Sequence, residues 1–189
     1  MIRIGILGDV GSGKSYVARS FGYPVFNADL EVGKLYQNDR KIFYKLKKTL
    51  PKYFNSFPVN KNEVVNAILA EKKNLKKIVE IVHLAIRKKM NIFLKKNKNK
   101  KIVILDIPLL LENKINKKND VLIFIQSNKI EIKKRLKKRK NINFKLIKKF
   151  QKIQLPLEYK KKKSNFIIKN DFKKNSIIKN VNDILKMII

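Results

Sequence analysis

Short, continuous apolar runs alternate along this chain with longer stretches of helical periodicity. Ile2 to Leu7 is isoleucine-rich and closed by Gly8, too short for a helix and uniform enough for a buried strand. Lys14 to Phe21 has helical character, and Pro24 to Asn27 predicts a second short strand before Ala28-Asp29. From Leu30 to Leu94 the pattern is helical, clearest in Leu75, Ile78, Val82, Ala85, Ile86 and Phe93, with Asn74 placed as an N-cap. The prolines and aromatics between Leu50 and Val59 mark a turn region inside that block. Strands return at Ile102 to Asp106 and Val121 to Gln126. Lys129 to Lys140 and Asn143 to Gln154 predict helices, Phe166 to Lys169 a last strand, and Ile177, Val181, Ile184, Leu185 and Ile188 a C-terminal amphipathic helix. Strands separated by helical blocks predict the α/β class, a parallel sheet covered on both faces. The block after the second strand exceeds what one crossover needs and predicts a separate substrate-side lobe.

With 189 residues and 44% apolar positions the chain can bury one core. Its apolar runs are too short to span a bilayer, and the N-terminus enters a glycine-rich loop where a signal peptide needs its apolar stretch, so a cytoplasmic protein is expected. No cysteine and a single histidine exclude disulfides, thiolate catalysis and ordinary zinc sites, leaving a hard metal ion held by oxygen. The net charge of +33 suggests a polyanionic partner at first sight. However, 41 of the 47 basic residues are Lys, and Lys, Asn and Ile fill 89 of 189 positions, the signature of AT-rich codons. A dedicated nucleic-acid surface would use more arginine. Charge therefore speaks weakly for nucleic acid, and the run Lys160 to Lys163 reads as a solvated segment.

The strongest chemical signal is Gly8-Asp9-Val10-Gly11-Ser12-Gly13-Lys14-Ser15, a complete G-x-x-x-x-G-K-[ST] between a predicted strand and a predicted helix. Such a loop wraps backbone N–H groups around a phosphate, its lysine reaches the β- and γ-phosphates, and its serine hydroxyl ligates Mg²⁺. Nucleoside triphosphate binding follows. Asp29, just past the second strand, stands where an open parallel sheet presents its site; a general base and a helix cap both fit it. Asp106 closes the third strand and suits either a magnesium-bound water or a turn. Arg135 and Arg139, four apart on a predicted helix, would share one face, either to brace a phosphoryl group or as part of a solvated basic surface. His83 falls on an apolar stripe and reads first as a packed histidine.

Taken together, these segments resemble the dephospho-coenzyme A kinase family over nearly the whole chain. Asn27-Ala28-Asp29 is similar to that family's Asp-Ala-Asp, His83-Leu84 to its His-Pro, and Pro108-Leu109-Leu110-Leu111-Glu112 to its Pro-Leu-Leu-x-Glu. Gln154-Leu155-Pro156-Leu157-Glu158-Tyr159-Lys160 resembles its Gln-x-Pro-x-Glu-x-Lys lid stretch, and Phe166 to Asp171 its Asp-x-Val-Ile-x-Asn region near the adenine. The resemblance implies a P-loop three-layer fold with a five-stranded parallel sheet, a core of residues 1–29, 97–128 and 165–189, a coenzyme-binding lobe over 30–96 and a lid over 129–164. It implies an enzyme using ATP, Mg²⁺ and dephospho-coenzyme A; a monomer is expected, although the sequence does not itself give the oligomeric state. Asp29 would be the base for the ribose 3′-hydroxyl, with Lys14 and Arg135 completing the catalytic set. Gly8, Gly11, Ser12, Gly13, Lys14, Ser15, Tyr16, Arg139 and Asn170 would bind nucleotide, and Ser15 and Asp106 the metal. Asp29, His83, Pro108, Leu109, Leu110 and Glu112 would bind the acceptor. Asp9, Asn27, Leu84 and Tyr16 depart from the usual pattern. The competing readings are a nucleoside or nucleotide kinase, and a basic nucleic-acid-binding P-loop ATPase.

Overall fold

The computed structural model describes residues 1–139 and 142–189. The chain divides into two compact units, one built from Met1–Asn27 and Asn97–Ile189, the other from Ala28–Lys96.

The first unit is a five-stranded parallel sheet in the order β2-β3-β1-β4-β5. Its strands are β1 (Ile2–Gly8), β2 (Val25–Asn27), β3 (Ile102–Asp106), β4 (Val121–Gln126) and β5 (Phe166–Lys169). β1 lies at the centre, with Ile4 beside Ile104 of β3 and Ile6 beside Ile123 of β4. Every residue of β3 is buried, as the uninterrupted apolar run requires of a strand covered on both faces. On one face Ile4, Ile6, Ile104, Ile123, Ile125 and Ile168 pack with Val17, Ala18 and Phe21 of α1 (Lys14–Ser20) and its C-cap, and with Ile177, Val181 and Ile184 of α9 (Lys174–Ile188). Against the other face lies Leu110, fully buried and so close to Gly5 that a Cβ there would collide with its methyl group.

Three further helices complete this unit: α6 (Lys129–Lys138), α7 (Phe144–Ile153) and α8 (Leu157–Lys162). Asn128 and Asn143 cap the first two by accepting from Ile130 N and Leu146 N. The predicted end of α6 at Lys140 lies outside the described residues. α7 has a strong apolar stripe but no buried residue, and α8, which lacks a periodic signal long enough to read, packs against β1.

The second unit is helical: α2 (Ala28–Asn38), α3 (Arg40–Thr49), α4 (Lys61–Ala70) and α5 (Lys72–Lys96). A capping box of Asn60 and Glu63 starts α4 after the proline-containing turn. Asn74 is not an N-cap. It sits inside α5, 1% exposed, and its side-chain amide donates to Ala67 O at 2.9 Å, tying the start of α5 to α4. The periodic stripe Leu75, Ile78, Val82, Ile86 is buried as predicted. No helix among the described residues is long and apolar enough to cross a membrane.

Candidate active site

The glycine-rich loop leaves the C-terminal end of the central strand β1, the edge at which open parallel sheets collect their binding residues. Gly11 and Gly13 have φ of 84° and 90°, the left-handed region where a side chain is strained. The space around each is tight. A Cβ on Gly11 would lie 3.1 Å from Ile132 and Leu136 of α6, and one on Gly13 would strike the side-chain amide of Asn170.

The loop is braced from behind. Ser12 O accepts from Ser127 Oγ at 2.9 Å and Asn170 Nδ2 at 2.8 Å, side chains just past the ends of β4 and β5. Because the peptide is planar and trans, drawing this carbonyl one way turns Gly13 N–H the other. Asn170 is 4% exposed and its Oδ1 accepts from Phe172 N at 2.8 Å. The side chain assigned by resemblance to nucleotide contact thus spends a donor and an acceptor on shaping the loop. Ser127 carried no signal beyond being polar at a strand end.

Lys14 Nζ donates to Gly8 O at 3.1 Å and Asp9 O at 2.7 Å, so the ammonium lies over its own loop. Ser15 is half-buried and Tyr16 is exposed. Asp9 Oδ1 accepts from Val10 N at 2.6 Å and from Gln151 Nε2 of α7 at 3.2 Å. The carboxylate at this unusual position is engaged by its own backbone and by α7.

At the far ends of β2 and β3, Asn27 and Asp106 are register partners, and Asn27 Nδ2 donates to Asp106 Oδ2 at 2.5 Å. Asp106 is 3% exposed; an aspartate at 27 would set a second carboxylate against it, whereas asparagine supplies a donor. Asp29 follows in the first turn of α2, exposed and already inside the helix rather than capping it.

Arg135 lies on α6 with its guanidinium carbon 4.3 Å from the centre of the Phe172 ring, a cation–π arrangement. Arg139 is the C-cap of α6, with extended backbone. The shared helical face expected from the four-residue spacing therefore stops at Arg135, because the helix ends before Arg139. Both arginines are exposed.

One acceptor-side expectation changes, and two other side chains have partners of their own. Leu110 is a core side chain packed over Gly5 and offers no surface to a ligand, while its neighbours Pro108 and Leu109 are half-buried. Glu112 Oε1 accepts from Leu155 N at 2.9 Å and lies 2.6 Å from Lys160 Nζ. Lys160, read from sequence as the start of a solvated run, is 0% exposed. The lysines around it hid that difference, since charge runs carry no face information by themselves. His83 is only half-buried on α5. Its Nε2 accepts from Arg87 Nε at 3.3 Å, and burial, followed by the positive charge of Arg87, holds its pKa below the ordinary value.

Among the described residues no group of three or more His, Cys, Asp or Glu could enclose a metal ion. One hydroxyl and one carboxylate, Ser15 and Asp106, are hard oxygen donors of the type Mg²⁺ takes when it draws its other ligands from phosphate and water.

A family model described as dephospho-CoA kinase matches residues 2–176. The chain is similar to the dephospho-CoA kinase of Wolbachia sp. subsp. Brugia malayi, 33% identical over 187 residues that cover 96% of this chain and 95% of that one. It is 32% identical over 170 residues to that of Bartonella quintana, covering 87% of each. In fold it resembles TT1252 from Thermus thermophilus, with TM-score 0.78, 22% identity and coverage of 100% and 97%. It also resembles the dephospho-CoA kinase from Campylobacter jejuni, with TM-score 0.63, 20% identity and coverage of 98% and 96%. A P-loop on the central strand, in a chain matched by one family from its second residue almost to its last helix, makes this protein a member of the dephospho-CoA kinase family.

Proposed function

We propose that the chain transfers the γ-phosphoryl group of ATP, as its magnesium complex, to the ribose 3′-hydroxyl of dephospho-coenzyme A, giving coenzyme A and ADP in the last step of coenzyme A synthesis. The observation that carries this is the braced P-loop within a family match spanning residues 2–176. ATP as co-substrate fits a cytoplasmic enzyme, and the substrates are small molecules.

Phosphoryl transfer of this kind is positioning plus electrostatics. Backbone N–H groups of residues 8–15 hold the phosphates, with Gly13 N–H oriented by Ser127 and Asn170. Lys14 exchanges its two carbonyl partners for phosphate oxygens. Ser15 and Asp106 would hold Mg²⁺, which would supply charge neutralisation to the phosphates. Asp29 takes the proton of the attacking 3′-hydroxyl, and its exposed place in the first turn of α2 leaves it accessible to an acceptor. Arg135, steadied by Phe172, neutralises charge on the nucleotide side. The segment 129–164 acts as a lid, excluding water while the γ-phosphoryl is in flight.

The test is production of ADP and coenzyme A by the purified chain with MgATP and dephospho-coenzyme A. AMP, adenosine, uridine, a polynucleotide and buffer alone serve as alternative acceptors. Turnover confined to dephospho-coenzyme A is expected. Asp29→Asn should lower kcat by about 10²- to 10⁴-fold with the melting temperature unchanged; full activity in this variant removes Asp29 from the mechanism.

A further inference from the structure

Lys160 is a fully buried lysine in a chain whose other lysines largely face water. Burying an ammonium is costly unless it is paired, and a buried pair adds little stability over an apolar one of the same size. Its partner Glu112 reaches the same stretch of chain twice, once at Leu155 N and once at Lys160 Nζ, on the two sides of Pro156. The two contacts differ in kind. The Leu155 bond is a directed hydrogen bond. The Lys160 contact is an ion pair at 2.6 Å, and Lys160 Nζ and Glu112 Oε2 are buried with no hydrogen-bond partner among the described residues. An ammonium is a compact point charge on a flexible stem, so its attraction to a carboxylate survives rotation of one segment against the other. The chain N-terminal to this point rests on the P-loop: Gln151 touches Asp9, and Ile132 and Leu136 pack on Gly11.

We propose that Glu112 and Lys160 form a buried pivot at the C-terminal root of α7, the described segment Phe144–Ile153. In this role both are positioning residues, setting how that segment closes over the P-loop. The proposal rests on the lid reading above and reassigns Glu112 from acceptor binding to that role.

The experiment compares wild type with Glu112→Gln, Lys160→Met and the double variant, each assayed well below its own melting temperature. The single variants strand a buried charge and lose stability. The double variant removes both charges with little change in volume, so it restores most of the melting temperature, and it carries the test if the singles do not fold. A pivot predicts that the double variant still shows kcat for coenzyme A lowered about tenfold or more. ADP should form in excess of coenzyme A as water competes for the phosphoryl group. A second readout needs no acceptor: MgATP should protect residues 144–153 from trypsin in wild type but not in the double variant. A double variant that keeps coupled turnover within about twofold of wild type, that is protected equally, or that fails to fold assigns the pair to the fold alone and overturns the proposal. Wild type that makes no coenzyme A overturns the substrate reading instead, and the trypsin comparison still decides the pivot.

Discussion

Arg3–Asp120 and Glu112–Lys160 are both ion pairs withdrawn from water within the nucleotide-binding unit. Arg3 enters at the start of β1 and Asp120 stands just before β4, so the first pair lies at the N-terminal edge of the sheet, opposite the P-loop. There Arg3 Nη2 donates to Asp120 Oδ2 at 3.0 Å and to Ile115 O at 3.3 Å, and Asp120 Oδ2 also accepts from Lys117 N at 2.9 Å. Arg3 Nη2 thus ties a carboxylate and a carbonyl of the connection from 115 to 120 to β1, while Arg3 Nε is buried with no hydrogen-bond partner among the described residues. Glu112–Lys160 holds its segment with one hydrogen bond and one undirected attraction. The edge that only has to stay closed is held by directed hydrogen bonds to two acceptors, whereas the segment that meets the P-loop is held by a joint.

The sharpest way to break this comparison is Arg3→Met, which leaves the Asp120 carboxylate buried without its counter-charge. It should cost about 3–5 kcal/mol of stability, read by denaturant unfolding, with kcat unaffected at temperatures where the variant is folded. A matching loss of kcat would show that the two edges are not independent.

Asn170→Ala acts on the opposite edge and should give the reverse pattern. Losing one of two donors to Ser12 O, and the acceptor for Phe172 N, should cost about 1–3 kcal/mol locally. We expect kcat/KM for ATP to fall about 5- to 150-fold at that cost, measured beside a melting temperature that falls by about 2–12 °C. Unchanged kinetics would remove Asn170 from the shaping of the loop.

The smallest effect is the pH dependence of the Arg3–Asp120 edge. Burial raises the Asp120 pKa above its ordinary value, against the opposing hydrogen bond from Lys117 N and the charge of Arg3. A raised folded-state pKa means that the folded chain binds the proton more tightly than the unfolded one. The resulting stability is fully present below the ordinary aspartate pKa and is lost as pH rises through the raised value. Asp120→Asn should flatten this part of the wild-type profile across the acid range, as read by melting temperature against pH. Identical profiles would exclude Asp120 as the titrating group.

Much of the nucleotide side was legible in the sequence because its physics is local. A strand, a loop that needs positive φ at Gly11 and Gly13, and a helix follow one another without interruption, so one contiguous string specifies them. The periodic stripe of α5 was equally plain. Spacing misled where a helix end or a neighbouring helix decided the outcome. Arg139 lost its shared face with Arg135 because α6 stops one residue earlier, and Asn74 turned to Ala67 of α4 instead of capping its own helix. Lys160 was the largest miss, since a run of lysines looks the same in sequence whether or not one member points inward.

The sequence by itself determined the parallel α/β class, the order of strands and helices, the P-loop and, through motifs spread along the chain, the family. Each depends on residues adjacent in the chain or on their periodic faces. Only the tertiary structure decided which distant polar groups meet. Asn170 reaches Ser12 across 158 positions, Asn27 meets Asp106 across 79, and Glu112 meets Leu155 across 43. Such partners are set by the order in which strands lie in the sheet, where β1 stands between β3 and β4, and no local pattern records which distant polar group a buried donor or acceptor will find.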